Sequence, residues 1–297
     1  MPSPGAIIVK FILTKEVVPM QAVGAVLELL NAKMDTPQMY GWFHIFFFAL
    51  SVIAGIMLCR RRPKPDEMFI RKLLLIISLV VIALEVYKQI NFSFRYDGKT
   101  ITFDYQWYAF PFQFCSTPMY VGLLAAVVRN QKLHESLCAY LATYGFFAGL
   151  CVMFYPSTVF IETIGINIQT MICHGSMVTI GIYLLFSGYV QHNAKTIRKA
   201  LPVFTALVSM AMLMNELAFR TGLLESDTFN MFFISPYCAP ELPVYSLVQG
   251  VIPFPWCLIV YVAGFTAASA LLLVLTRLLC KIRIHSFYKN NKPVAHL

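Results

Sequence analysis

Two side chains in this 297-residue chain combine into recognisable chemistry: the thiol of Cys115 and the imidazole of His174. The thiolate is the reactive form of cysteine, and a nearby imidazole can take its proton, so the pair suits nucleophilic catalysis. A carboxylate such as Glu85 would orient the ring or balance its charge. Amide donors such as Gln113 or Asn215, or backbone amides freed by proline, would hold the oxyanion of a tetrahedral intermediate. At a lipid-accessible depth the carbonyls such a thiol meets are phospholipid esters, and the reaction is acyl transfer through a thioester. Cys115 and His174 lie 59 positions apart, so the chemistry depends on elements that bring them together.

Those elements are membrane spans. The chain is 59% hydrophobic and 12% charged, against about 25% charge in a typical soluble domain. Its apolar residues fall in runs near the roughly 20 residues that cross a hydrocarbon core. The expected fold is all-α and polytopic, with seven transmembrane helices: Tyr40–Cys59, Phe69–Asn91, Trp107–Val128, Ser136–Phe154, Thr170–Val190, Ala200–Phe219 and Phe254–Leu279. Residues 1–39 form an extracytoplasmic segment in which Glu16–Lys33 reads as an interfacial amphipathic helix. Residues 40–280 form the seven-helix domain and 281–297 a basic tail. Phe94–Phe103, with Asp97-Gly98 inside it, reads as a β-hairpin.

The net charge of +9 is explained by topology rather than by nucleic acid. Arg60, Arg61, Arg62, Lys64, Arg71 and Lys72 fall between spans one and two, Arg129 and Lys132 between three and four, and Lys195, Arg198 and Lys199 between five and six. The alternate loops are poor in both residues. This positive-inside pattern puts the N-terminus outside and the C-terminus in the cytoplasm. No cleavable signal peptide is evident, and the eight cysteines contain no CxxC pair, which argues against a thiol oxidoreductase.

The orientation gathers the costly polar residues. Spans one, three and five enter from outside and spans two and six exit there. His44, Glu85, Lys88, Gln113, Cys115, His174, Asn215 and Glu216 therefore all fall in the outer half. Scattered structural polar residues would not segregate in this way, and intramembrane ionisable groups mark functional sites. Each also has a plainer reading: Cys115 as packing, either histidine as an interhelical hydrogen-bonder, Glu85 and Lys88 as a structural i,i+3 pair. Pro111 and Pro118 bracket Cys115 and should kink or unwind the third span, which is tolerated at that depth beside a cavity.

The stretch Pro111-Phe112-Gln113-Phe114-Cys115-Ser116 resembles the Leu-Pro-Leu-His-Leu-Cys type motif of the bacterial YwaF-like membrane proteins and the eukaryotic transmembrane protein 164 family. The Cys115-to-His174 separation is also similar, as are His44, Glu85, Asn215, Asn230-Met231-Phe232 and Pro255-Trp256. The resemblance runs over about Tyr40 to Leu279. It implies a membrane acyltransferase that moves fatty acyl chains between phospholipids or lysophospholipids, with Cys115 and His174 catalytic. His44, Glu85, Lys88, Gln113, Asn215, Glu216, Asn230 and Trp256 would support the site or bind substrate. It also favours a bacterial plasma membrane. Gln113 stands where the family motif usually has histidine, and Thr228-Phe229-Asn230-Met231 where it usually has Gly-x-Asn-Tyr.

Two other readings use the same residues. A transporter or receptor would bind a polar or lipid ligand in the outer cavity, although no polar path continues inward and no inverted repeat is evident. A zinc site could draw on Cys115, His44, His174 and Glu85, whose types suit the metal but whose spacing is not diagnostic. The expectation is no metal, no cofactor and no nucleic-acid partner.

Overall fold

The computed structural model describes residues 20–222, 228–239, 242, 245–249, 251–254 and 256–290. The expected N-terminal segment up to residue 19, Pro255 and the last part of the basic tail, 291–297, lie outside the described residues.

The elements run α1 (Met20–Leu30), α2 (Trp42–Arg61), α3 (Glu67–Asn91), β1 (Phe94–Tyr96), β2 (Ile101–Phe103), α4 (Thr117–Val127), α5 (Gln131–Phe154), α6 (Ile164–Phe186), α7 (Ala194–Thr221) and α8 (Trp256–Asn290). Five of the described helices are long and apolar enough to cross a bilayer: α2, α5, α6, α7 and the Trp256–Lys281 part of α8. α5 and α6 are largely buried and form the centre, while α2, α7 and α8 expose most of their surface. α3, of 25 residues, and the shorter α4 complete the bundle beside α6.

Polar caps set where the helices begin. Asp66 accepts the N–H of Phe69 at the start of α3, Asn130 that of Leu133 before α5, and Asn193 those of Lys195 and Thr196 before α7. Each satisfies a donor that the first turn leaves without a partner. Small residues then let the helices approach. A Cβ at Gly122 would stand 2.5 Å from Ser78 Oγ, one at Gly55 2.9 Å from Ile182, and one at Gly149 2.7 Å from Met177. Close backbone approach through small residues is the usual mode of association where water supplies no drive.

The third apolar segment is helical only from Thr117. Trp107–Ala109 forms a 3-10 turn, and residues 110–116 are irregular. Proline is the cause. Pro118 has no N–H to give the carbonyl of Phe114 four residues back, and Thr117 Oγ1 donates to that carbonyl instead, at 2.9 Å. Tyr120 Oη likewise donates to Pro111 O at 3.0 Å. The hairpin forms where Asp97-Gly98 marks it, with Phe94 opposite Phe103 and Tyr96 opposite Ile101.

The connections rich in Lys and Arg meet at one end of the bundle. There Arg71 donates to the carbonyls of Ala125 and Val128, Tyr183 donates to Arg62 O, and Lys199 pairs with Glu135. At the other end α1, only 11 residues long, lies over the ends of α3 and α6. Tyr87 and Asn91 donate to Leu30 O, and Lys33 bridges to Thr163.

Candidate active site

Cys115 sits in the irregular stretch before α4, against three other elements. Its carbonyl accepts the thiol of Cys173 on α6 at 3.7 Å. Ser78 of α3, Met119 of α4 and Leu141 and Gly145 of α5 line the same small chamber. Leu141–Gly145 is a π-helical turn within α5, a departure that often accompanies functional sites. The chamber has room for about 10 Å³, roughly one water.

The next residue along α6 is His174, buried at 5% exposure. Its Nδ1 lies 2.7 Å from the carbonyl oxygen of Thr170, one turn earlier. A carbonyl only accepts, so Nδ1 carries the proton and Nε2 presents a bare lone pair. That Nε2 is buried with no hydrogen-bond partner. A buried polar atom left unpaired costs about 1–3 kcal/mol and asks for an explanation. An imidazole held in one tautomer, with its acceptor nitrogen open, is poised to take a proton. Cys173 and His174 are successive on one helix, about 100° apart. α6 thus touches the Cys115 backbone with Cys173 and carries the open imidazole nitrogen on the next residue, which is not among those lining the Cys115 chamber. In this structure no hydrogen bond joins the Cys115 thiol to Nε2.

Glu85 and Lys88 form the expected pair, 2.8 Å apart on α3. The pair belongs to a larger network. Gln89 donates to Glu85 at 2.7 Å and Gln169 of α6 donates to its other oxygen at 3.2 Å. Gln89 also donates to Ala109 O and accepts from Tyr105. This network ties α3 to α6 and to the stretch leading to Cys115. Gln89 was legible as an i,i+4 partner of Glu85, whereas Gln169 and Tyr105 come from other segments.

Gln113, Asn215 and Asn230 converge on a different task. The loop at 229–235 enters the bundle, with Phe229, Met231, Phe232 and Ile234 buried. Asn215 accepts from Met231 N at 2.8 Å and donates to Met231 O at 3.0 Å. Gln113 accepts from Phe232 N and donates to Asn230 O, both at 3.0 Å. Asn230 accepts from Ser235 N, and Tyr261, which the sequence did not single out, donates to Phe232 O. These amides replace the water that the loop backbone lacks. They also hold Phe232 and Phe233 at φ values of 59° and 56°, which non-glycine residues adopt only when surroundings compel it. Phe232 stacks on Phe114, beside Cys115. Gln113 and Asn215 therefore brace the cysteine segment, rather than stand free as oxyanion donors.

The other candidates lie elsewhere. His44 has both nitrogens engaged: Nδ1 accepts from Tyr40 N at 2.9 Å and Nε2 donates to Met153 O at 2.7 Å. Glu216 pairs with Arg220 and accepts from Tyr237 Oη near the surface. Trp256 is exposed at the start of α8. Among the described residues no three of His, Cys, Asp and Glu come together as a metal site, and Cys115, His44, His174 and Glu85 do not assemble into one.

Residues 38–276 match the sequence profile of the TMEM164 family. No curated protein and no solved structure matches the chain.

Proposed function

The chain belongs to the TMEM164 family, and from that premise we propose that it is a membrane-embedded acyltransferase moving fatty acyl chains between phospholipids and lysophospholipids. In this reading seven segments cross the bilayer, with the N-terminus outside and the Lys- and Arg-rich connections in the cytoplasm. α4, with the irregular stretch before it, supplies the third crossing.

His174 Nε2 takes the proton of the Cys115 thiol. The thiolate attacks the ester carbonyl of a phospholipid, and a C–S bond forms. The tetrahedral intermediate collapses as the ester C–O bond breaks, and the leaving lysophospholipid oxygen receives the proton from His174. A second lysophospholipid hydroxyl then gives its proton to Nε2 and attacks the thioester, the C–S bond breaks, and the thiolate recovers the proton. The observation that carries this reading is the open, buried Nε2 of His174, one residue from the Cys115 contact. The remaining work is done by the Glu85 network and the 229–235 loop, which hold the cysteine segment from two sides.

Reconstitution in phosphatidylcholine vesicles with a labelled lysophospholipid tests it. Wild-type protein should transfer acyl chains, and Cys115→Ala should abolish transfer. His174→Ala should slow it by about 100-fold or more, the usual scale for a general base. Undiminished transfer in Cys115→Ala would refute the mechanism, and no transfer by wild type would refute the function.

A further inference from the structure

A second cavity lies beside the Cys115 chamber. It is a cleft of about 280 Å³ between α3 and α4, with Ile82 and Val86 on one wall and Pro111 and Tyr120 on the other. The chamber at Cys115 holds only about 10 Å³. Met119 lines both. It packs against Val81 and Cys173, and Cys173 bonds the Cys115 carbonyl. Met119 is thus the one lining residue that the roomy space shares with the chamber that Cys115 lines. Methionine is unbranched and flexible, so it can move aside where a branched residue would not.

The cleft opens on the surface that faces lipid. Val86 and Tyr120 are 53% and 39% exposed, and the exposed Leu79, Val80 and Leu124 continue the same apolar face of α3 and α4. In a chain whose spans stand in a bilayer, acyl chains are what such a face meets. The lining also carries polar side chains. Glu85 and Gln89 of α3 and Ser93 just beyond it stand in the cleft among Ile82, Val86, Ile90 and Phe94. An amphiphile fits with its polar end at these side chains and its tail along the exposed apolar face of α3.

We infer that this cleft admits the ester-linked acyl chain of a membrane phospholipid from the side, and that Met119 is the gate between it and Cys115. The inference rests on the acyl-transfer reading for its purpose, but the binding itself needs no chemistry.

The test uses full-length protein carrying Cys115→Ala, in phosphatidylcholine vesicles doped with a phosphatidylcholine bearing a diazirine on its acyl chain near the ester. Cross-linked residues are identified by mass spectrometry. Label should fall on Ile82 and Val86 in the cleft and on Leu141 and Met177 in the chamber. Adding Met119→Trp should cut chamber label about tenfold, the scale of a small overpacking penalty, and leave cleft label in place. Adding Met119→Ala should raise chamber label, which decides the matter should the tryptophan variant fail to fold. Chamber label unchanged by Met119→Ala, or cleft label no stronger than on the exposed Leu271 and Leu278 of α8, would overturn the gate. Correct labelling without lipid turnover by the wild type would instead overturn only the acyl-transfer reading.

Discussion

At the scale of single residues, hydrogen-bond arithmetic separates the two buried histidines. His44 has a partner for each nitrogen and holds α2 to α5, whereas His174 has one partner and one open lone pair. Both are polar groups in apolar runs, so the sequence treats them alike. The difference lies in tautomers set by Tyr40 N–H and by the Thr170 carbonyl. Gln113 carries a similar lesson. Its two-residue offset from Cys115 was legible, but its partners, Asn230 and Phe232, lie more than a hundred positions away. Asn215 tests this bracing role. Asn215→Ala would strip the N–H of buried Met231 of its partner and leave the carbonyl only the 3.5 Å bond from Ile234 N, at about 1–3 kcal/mol for the donor left unpaired. The expected result is a lowered unfolding temperature with Cys115 still present and chemically intact. An unchanged unfolding temperature would show that the loop does not depend on Asn215.

At the scale of elements, punctuation residues were the most readable part. Asp97-Gly98 marks the hairpin, and Pro111 and Pro118 mark the interrupted third segment. The inward loop at 229–235 was not legible, because its two left-handed residues are phenylalanines and no glycine announces the turn. The hairpin offers a pH test outside the spans. Thr100 N–H and Lys99 N–H donate to the Asp97 carboxylate, and these hydrogen bonds hold its pKa below the ordinary value. A depressed carboxylate stabilises the folded form above the unfolded-chain pKa, about 3.9, and that contribution fades as pH falls through the lower folded value. Amide protection factors at Lys99 and Thr100 should therefore hold above about pH 4 and decline below it. A flat profile, or one unaltered in Asp97→Ala, would contradict this.

At the scale of the whole molecule, the charge pattern and the bundle agree on which connections belong together. Arg62, Arg71 and Lys199 lie at the end opposite the hairpin, the Glu85 network lies nearer the hairpin end, and the Cys115 chamber sits at the middle of α3, α5 and α6. Composition and loop charge made this division legible, but which helices touch, and that Met119 stands between two cavities, required the packing itself. Orientation is checked by labelling with a membrane-impermeant maleimide. Lys99→Cys should gain label on intact cells or sealed right-side-out vesicles, and Lys64→Cys only after permeabilisation. The reverse order would invert the proposed topology.

The most direct test of Cys115 as the acyl carrier is the mass of the peptide that contains it, recovered after brief incubation with phosphatidylcholine vesicles. An acyl group on Cys115, removed by neutral hydroxylamine and greatly reduced in His174→Ala, is the predicted result. Continued lipid turnover with Cys115 unmodified, or an acyl group on another cysteine, would contradict it.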